Sequence, residues 1–396
     1  MTAVAAPSHA RRGRMLRNHL AEVGRLRLLD LILGVLLIVE MGMPGLGVPI
    51  NAVVLLAIMV LALSRRPDRY IPALEWLIPI MVLALAYLAL MSVIVDQHDY
   101  ALDWKRRLIR MALTVAALCL MPTGRIHLRS LILGMWGGLA ANIPVWLAGL
   151  NADQYAGYLT GLLVDKNVAG LAYAVAVFAV LAVVKGRGPR VVLCSVLLAG
   201  LWLSGSRTSL AACAAGLLWA LLAPHLHTIL RWALGGVIYI AIQLVSEDFS
   251  RIGRFSDRVG SDLLRYRIDN ASLQAVHEAG FWGKGLGEAV ALINGNGWFF
   301  HNSYWTALVE GGWPWLTVLL LVTGVFVMRP FASGHPTRQE AIIQAGAVVL
   351  FVCSSRLGEV FMTVYWMIII ALALAQWSVP REEADHGRAE LAWRTG

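Results

Sequence analysis

The sequence predicts an all-α polytopic membrane protein whose chain crosses the bilayer about twelve times. Of its 396 residues, 59% are hydrophobic and 14% are charged, which is more apolar surface than one soluble core could bury. Apolar stretches recur along nearly the whole chain, most of them near the roughly 20 residues that a helix needs to cross the hydrocarbon layer. Because backbone amides in lipid must bond within their own segment, these stretches should be helices.

The apolar stretches are separated by short polar breaks, and each stretch is interpreted as one span. The predicted spans cover residues 28 to 46, 48 to 64, 71 to 95, 108 to 122, 131 to 150, 168 to 184, 191 to 206, 209 to 223, 232 to 246, 308 to 328, 341 to 355 and 360 to 378. Residues 1 to 27 then form a basic N-terminal segment and residues 379 to 396 a tail. The first span has no cleavage site before it and should remain as an anchor.

The net charge of +9 is carried mainly by short loops between the apolar stretches. Nucleic-acid binding would need a continuous basic face, so this distribution instead indicates the positive-inside bias of membrane proteins. If the N-terminus is cytoplasmic, the basic loops fall on the inside at nearly every second connection. An even number of spans therefore predicts a multi-pass protein with both termini in the cytoplasm.

One outside segment, residues 247 to 307, is much longer than the others. Loops of that length usually have a function. Within it, residues 263 to 279 place Leu264, Ile268, Leu273 and Val276 roughly on one face, which predicts a helix lying on the membrane. We expect the functional residues to gather here, on the extracytoplasmic side.

Arg207 lies where one predicted span ends and the next begins, within GSRTS at 205 to 209. A cation at membrane depth costs about 2.5 to 3.5 kcal/mol on insertion scales, so it should face a cavity or an anionic partner. The alternative is an interfacial arginine whose side chain reaches water.

Two arginines of the long segment, Arg265 and Arg267, are candidates for binding a phosphate group. A guanidinium group can bind two phosphate oxygens at once, which suits an anionic lipid headgroup. The residues alone leave both open, and a solvated helix face is the simpler interpretation of most charges in this segment.

His301 opens HNSYW at 301 to 305, just before the tenth predicted span. Histidine can accept a proton near neutral pH and could act as a general base, although a structural histidine is the commoner case. Asn302 is interpreted either as a helix N-cap or as an amide that binds sugar.

A basic cluster stands at the outside end of the fourth span, against the usual charge bias. It contains Lys105, Arg106 and Arg107, followed by Arg110. The cluster could contact phosphates of a lipid substrate, or it could anchor the helix end in the interface.

No metal or nucleotide site is expected. The segment GKGLGE at 283 to 288 resembles a nucleotide-binding loop, but no strand precedes it, so it is interpreted as a turn. Asp96, His98, Asp99 and Asp103 offer oxygen ligands to a divalent cation, yet carboxylates at a helix end are common without one. The four cysteines all fall inside predicted spans without CxxC spacing and predict neither a disulfide nor a metal centre.

The second half of the chain resembles the O-antigen ligase and polymerase superfamily of bacterial inner membranes. The resemblance rests on GSRTS at 205 to 209, the arginine and the glycines at 283 and 285, and HNSYWTALVEGGWPWL at 301 to 316. DKNVAG at 165 to 170, with Asn167, is similar to a weaker family motif. Measured back from the glycines, the family arginine falls on Arg265, but the usual aromatic residue is replaced by Asp269, so Arg267 stays an alternative.

The resemblance implies a GT-C-like glycosyltransferase that needs no cofactor, in a Gram-negative inner membrane. Its donor would be a glycan linked to undecaprenyl diphosphate. Arg207 and Arg265 would stabilise the diphosphate leaving group, and His301 would deprotonate the acceptor hydroxyl. In the ligase branch the acceptor is the lipid A-core oligosaccharide.

Three alternatives remain. An O-antigen polymerase would use a second lipid-linked glycan as acceptor, and a protein O-oligosaccharyltransferase would use a protein. A flippase for an anionic lipid-linked substrate belongs to a different class, but transporters commonly show repeated halves with interrupted helices. We find no such symmetry in the sequence.

Overall fold

The computed structural model describes residues 26–43, 48–95, 98, 100–150, 155, 157–248, 259–332 and 334–380. These residues are mostly helical. In chain order the helices are α1 (Leu28–Leu37), α2 (Ile50–Leu63), α3 (Leu74–Ile94), α4 (Trp104–Leu120), α5 (Leu128–Leu147), α6 (Lys166–Val183), α7 (Arg187–Ser204), α8 (Arg207–Leu222), α9 (Thr228–Asp248), α10 (Val259–Ala279), α11 (Ser303–Thr323), α12 (Arg338–Ser354) and α13 (Val364–Gln376).

Each of the twelve predicted spans overlaps one of these helices, although several helices begin two to five residues before the predicted start. Helix α10 lies in the long segment where an additional helix was expected. Among the described residues, six helices are long and apolar enough to cross a membrane: α3, α5, α6, α7, α8 with its short 3-10 extension, and α11 with the π-helical turn Gly324–Met328 that follows it. The helical membrane-protein class is therefore supported, whereas the number of twelve crossings stays a prediction.

The first predicted span, 28 to 46, is wrong in its length because α1 ends at Leu37. The chain beyond it contains several glycines and prolines, which do not continue a helix. The short α1 packs closely against α5. A Cβ atom added at Gly34 would lie 2.0 Å from the Leu131 carbonyl oxygen, and one at Gly134 would lie 2.0 Å from the Leu31 carbonyl oxygen. Glycine at both positions therefore permits this approach of the two backbones.

Three helices form the centre of the bundle. All residues of α6 from Ala169 to Val180 and all of α13 from Val364 to Leu374 are buried, and most of α12 is buried as well. The outer helices have apolar side chains on their outward faces. Leu83 in α3 is 69% exposed and Val191 in α7 is 65% exposed. An apolar exterior around a packed apolar centre is the pattern expected for a bundle surrounded by lipid.

The structure departs from an all-α fold at two small antiparallel sheets. Strand β1 (Arg69–Tyr70) pairs with β4 (Val379–Pro380), while β2 (Val290–Ile293) and β3 (Asn296–Phe299) form a hairpin. Both residues of the hairpin turn, Asn294 and Gly295, have positive φ. An Asn-Gly pair after an apolar run is a strong hairpin signal that the sequence analysis overlooked.

Several loops predicted to be cytoplasmic lie together at one end of the bundle. Arg65 Nη1 donates to Asp30 Oδ1 at 2.6 Å and to the Arg125 carbonyl oxygen at 2.9 Å, and the His127 amide donates to Asp30 Oδ2 at 2.8 Å. The pairing of β1 with β4 brings the chain after α13 to the same loop. This grouping agrees with the predicted alternation of the loops, while the membrane face remains a prediction. Residues 1–25 of the N-terminal segment and residues 381–396 of the tail lie outside the described residues.

Helix α10 packs against α11, but its buried face differs slightly from the predicted one. Ile268 is 1% exposed, and Leu264 and Val276 pack beside it. Leu273 is 41% exposed and points away from this contact, because five residues after Ile268 a helix has turned by about 140°. The position of α10 on a membrane surface stays a prediction.

Candidate active site

The candidate site begins at the N-terminus of α11. The side-chain oxygen of Asn302 accepts hydrogen bonds from the amides of Tyr304 at 2.9 Å and Trp305 at 3.2 Å. This geometry confirms the interpretation of Asn302 as an N-cap. The cap fixes the direction in which the chain enters α11 and so positions His301 immediately before it.

Helix α11 is kinked at Gly312, where φ is +63°. The glycine-rich segment 283–288 forms a turn, as predicted, and packs against this kink. The Gly285 amide donates to the carbonyl oxygen of Glu310 at 3.0 Å. A Cβ atom at Gly312 would lie 2.0 Å from the Phe281 carbonyl oxygen, so only glycine permits this contact.

A buried cluster of charged side chains joins α11 to α4. Glu310 is 2% exposed and accepts a hydrogen bond from the Gly287 amide at 3.0 Å. Arg107 Nε lies 2.7 Å from Glu310 Oε1, and Arg107 Nη2 donates to Glu310 Oε2 at 2.9 Å. Arg107 Nη1 also contacts Glu359, which accepts from Arg110 Nη2 at 2.9 Å. Two carboxylates and two guanidinium groups thus balance one another.

The side chains of the basic cluster at the start of α4 lie in different environments. The guanidinium group of Arg107 is engaged by Glu310 and Glu359. Arg106 is exposed and pairs with Asp103 at 3.2 Å, while Lys105 is exposed with its Nζ atom 5.7 Å from the centre of the Trp104 ring. Contact of Lys105, Arg106 and Arg107 with a phosphate stays a prediction.

A large groove opens beside this cluster. Its volume is about 910 Å³, which lies within the usual range of ligand sites. One part of its wall is apolar and consists of Val53, Leu56, Ile109, Leu113, Trp298 and Phe299. The other part is polar and contains Arg106, Arg107, Arg110, Asp165, Asn167, His301 and Glu359. The groove therefore offers to the same ligand an apolar surface and three arginines, which stand beside the carboxylates of Asp103, Asp165 and Glu359.

A second, polar pocket of about 540 Å³ lies on another side of His301. Asp269 of α10, Asn302 and Arg356 contribute polar groups to it, and Tyr239 of α9 lies at its edge. Among the described residues that line these two cavities, His301 is the one that belongs to both. Its imidazole thus stands where two separately bound molecules could meet.

The electrostatic surroundings keep His301 neutral. Burial lowers the pKa of its imidazole, and the nearby positive charge of Arg265 lowers it further, to about 4, against a smaller opposite effect of Asp165. A neutral imidazole can accept a proton at pH 7.

The two arginine candidates of α10 differ in exposure. Arg265 is half-buried and donates from Nη2 to the Arg356 carbonyl oxygen at 2.8 Å. Arg267 is exposed. The neighbourhood of His301 therefore contains Arg265, although the role of either arginine as a diphosphate ligand stays a prediction.

Arg207 is the first residue of α8. The hydroxyl groups of Ser206 and Ser209, on either side of it in the sequence, lie 2.9 Å apart and pack against Gly170 of α6. Asn167, less than one turn before Gly170, lines the groove. Arg207 thus lies at the groove end of the bundle, but it is not among the described residues that line either cavity. Its predicted meeting with His301 remains untested by the geometry.

The residues weighed as cation ligands have other partners or lie outside the described residues. Asp103 accepts from the Lys105 amide at 3.0 Å as the N-cap of α4, and His98 Nδ1 lies 2.6 Å from Glu288 Oε2. Asp96 and Asp99 are not described. Within the described part of the chain, no three His, Cys, Asp or Glu side chains converge as metal ligands do.

Two residues of the site, Arg356 and Glu359, were not predicted from the sequence. Both belong to SSRLGE at 354 to 359, a short polar break between two predicted spans. Four polar residues so close together at one span boundary were the available signal.

The arrangement can hold an elongated amphipathic ligand in the groove and a polar one in the pocket, with a proton acceptor between them. The guanidinium groups of Arg106 and Arg110 line the groove while paired with Asp103 and Glu359, and Arg265 lies near the acceptor. Comparison of the chain with known protein families and with curated proteins gives no match.

Proposed function

We propose that the protein is a membrane glycosyltransferase that moves a glycan from undecaprenyl diphosphate to the lipid A-core oligosaccharide. The observation that carries the proposal is the position of His301 between the amphipathic groove and the polar pocket. The sequence resemblance supplies the identity of the donor and acceptor. Donor and acceptor occupy separate cavities in this scheme, and the imidazole stands at their junction.

The groove suits the donor. Its apolar wall matches a polyprenyl chain, and its arginines match the charge of a diphosphate. Arg110 has the freer guanidinium group there, because Arg107 is held by Glu310. Asn167 lines the same groove and can bind a sugar hydroxyl.

The pocket suits the acceptor sugar. An acceptor hydroxyl beside His301 transfers its proton to the imidazole while its oxygen attacks the anomeric carbon of the donor. The bond from that carbon to the diphosphate oxygen breaks, and the diphosphate leaves with the electron pair, so the configuration inverts. Arg265 and Arg207 stabilise the charge that develops on the leaving group.

Reconstitution in liposomes tests the proposal. The protein is supplied with undecaprenyl-diphosphate glycan and lipid A-core in the presence of EDTA, without nucleotide. Glycan-bearing lipid A-core should form. His301→Ala should reduce the rate by about 10²- to 10⁴-fold, whereas His277→Ala, which alters an exposed histidine of α10, should have no effect.

Three arginine variants test which cations stabilise the diphosphate, and Arg267 is the matched control for Arg265 on the same helix. Arg265→Ala and Arg207→Ala should lose the product while remaining folded, and Arg267→Ala should keep most of the activity because its side chain is exposed.

Undiminished activity in His301→Ala would overturn the proposal. Growth of the glycan with donor alone would identify a polymerase. Transfer of the glycan to an added protein would identify an oligosaccharyltransferase, and movement of the donor across the bilayer without transfer would identify a flippase.

A further inference from the structure

Another cavity of a size that suits a lipid chain lies between α8, α9, α11 and α12. Its volume is about 540 Å³. Apolar side chains form most of its wall, namely Trp219, Trp232, Ile238, Leu320, Val348 and Phe351. Gly236 of α9 and Gly324 of the π-helical turn also face it, and a Cβ atom at either position would meet nothing within 4 Å. These glycines leave the cavity open.

One end of the cavity carries a buried cation, Arg231. This residue is 6% exposed, and its Nη2 atom donates to Thr228 Oγ1 at 2.8 Å and to the Gly334 carbonyl oxygen at 3.1 Å. Its Nε atom is buried and has no hydrogen-bond partner among the described residues. A buried donor without a partner is costly, so a ligand that accepts from it would be stabilising.

A small polar cavity of about 190 Å³ adjoins the same guanidinium group. Arg231 lines this cavity and the apolar one, together with Arg329, His335 and Glu340 on the polar side. Arg329 Nη1 contacts Glu340, so the carboxylate in this cavity is already paired with another cation. The polar cavity therefore retains positive charge next to an apolar cavity.

We infer that these two cavities form a binding site for an anionic phospholipid, with an acyl chain in the apolar cavity and the phosphate at Arg231. The apolar lining extends along α9 from Thr228 to Tyr239, which is roughly 16 Å at the helical rise per residue. That length is about half of the hydrocarbon thickness, and so matches the depth of one leaflet. A phosphate oxygen accepts one charge-assisted hydrogen bond from Nε, while Nη2 keeps its bonds to Thr228 and Gly334.

Lipid binding here does not depend on the proposed glycosyl transfer, although the cavity ends at Tyr239, which also lines the polar pocket beside His301. Arg231, in the first turn of α9, and Arg329, directly after the π-helical turn, stand at the end of the bundle that is predicted to be cytoplasmic. A lipid there would fill the space between α9 and its neighbours. Among the helices in the described residues, α9 has few packing partners, chiefly α8, so the lipid would also tie α9 to the bundle.

Lipid binding by the full chain in detergent micelles tests the inference. The probes are dioleoyl-phosphatidylglycerol, dioleoyl-phosphatidylcholine and inorganic phosphate, and the readouts are native mass spectrometry and thermal unfolding. Phosphatidylglycerol should bind and raise the melting temperature. Arg231→Gln should weaken this binding by on the order of ten-fold to a hundred-fold, since one charge-assisted contact is lost.

A cavity-filling variant keeps the test valid if Arg231→Gln fails to fold. Gly236→Phe should fold, because its side chain enters open space, and should lose the bound lipid. Matched controls are Arg187→Gln, which removes an exposed charge at the same end, and Val237→Phe, which alters a residue that is 64% exposed. Both controls should bind phosphatidylglycerol normally. Equal binding of phosphatidylcholine, competition by inorganic phosphate, or unchanged binding in Gly236→Phe would each overturn the inference.

Discussion

Replacing Glu310 tests whether the buried charged cluster holds the candidate site together. Glu310→Ala removes the partner of Arg107, which is itself only 11% exposed, and the acceptor of the Gly287 amide. Breaking a buried ion pair by removing one partner costs about 3 to 5 kcal/mol, because the other charge remains buried. Glu359 still contacts Arg107, so the loss should lie toward the lower end of that range.

The measurement is reversible unfolding in mixed micelles, followed by circular dichroism. Glu278→Ala is the matched control, since Glu278 pairs with Lys284 at 3.2 Å but its side chain is 53% exposed. An exposed pair of this kind contributes little to stability, because solvent screens its charges. Arg107→Met combined with Glu310→Met should be less destabilising than the sum of the two single changes. Strict additivity, or equal losses in Glu310→Ala and Glu278→Ala, would refute this account of the cluster.

Three further predictions concern the site and its supports. Because burial, and further the charge of Arg265, lowers the pKa of His301 to about 4, the transfer rate should stay level down to about pH 5 and fall below it; a limb near pH 6.5 would contradict this. In Arg265→Gln, which should be inactive, NMR titration of the imidazole should show a higher pKa of His301. Gly312→Ala should lower the free energy of unfolding by more than about 2 kcal/mol, because φ is positive there and an added Cβ atom would clash with the backbone. Gly137→Ala, with nothing near its added Cβ atom, should raise the free energy of unfolding by about 0.5 to 1 kcal/mol in the same assay. Asn302→Ala should lower the stability by about 1 kcal/mol and Asn302→Asp should not, because only the latter keeps the cap; equal losses would argue against the capping role.

The sequence determined the helical class and the order of the helices. Each of the twelve apolar stretches overlaps a helix, since burial in lipid leaves the backbone few other ways to form its hydrogen bonds. The glycine-rich turn and the cap at Asn302 were also predictable, because their conformations depend on residues close together in the chain. The end of α1 and the β2–β3 hairpin were missed where glycine, proline and asparagine override apolar composition.

Only the tertiary structure decided which polar groups meet. Arg107 and Glu310 are 203 residues apart, and no local pattern links them or specifies that their charges neutralise each other. The same holds for His301, whose place between a groove from α2, α4 and α6 and a pocket from α9 and α10 depends on how the helices pack. The two arginines of the charged cluster were visible in the sequence as candidate cations. Desolvation and pairing with Glu310 and Glu359, which decide whether such a cation can bind a ligand, arise only when distant segments come together.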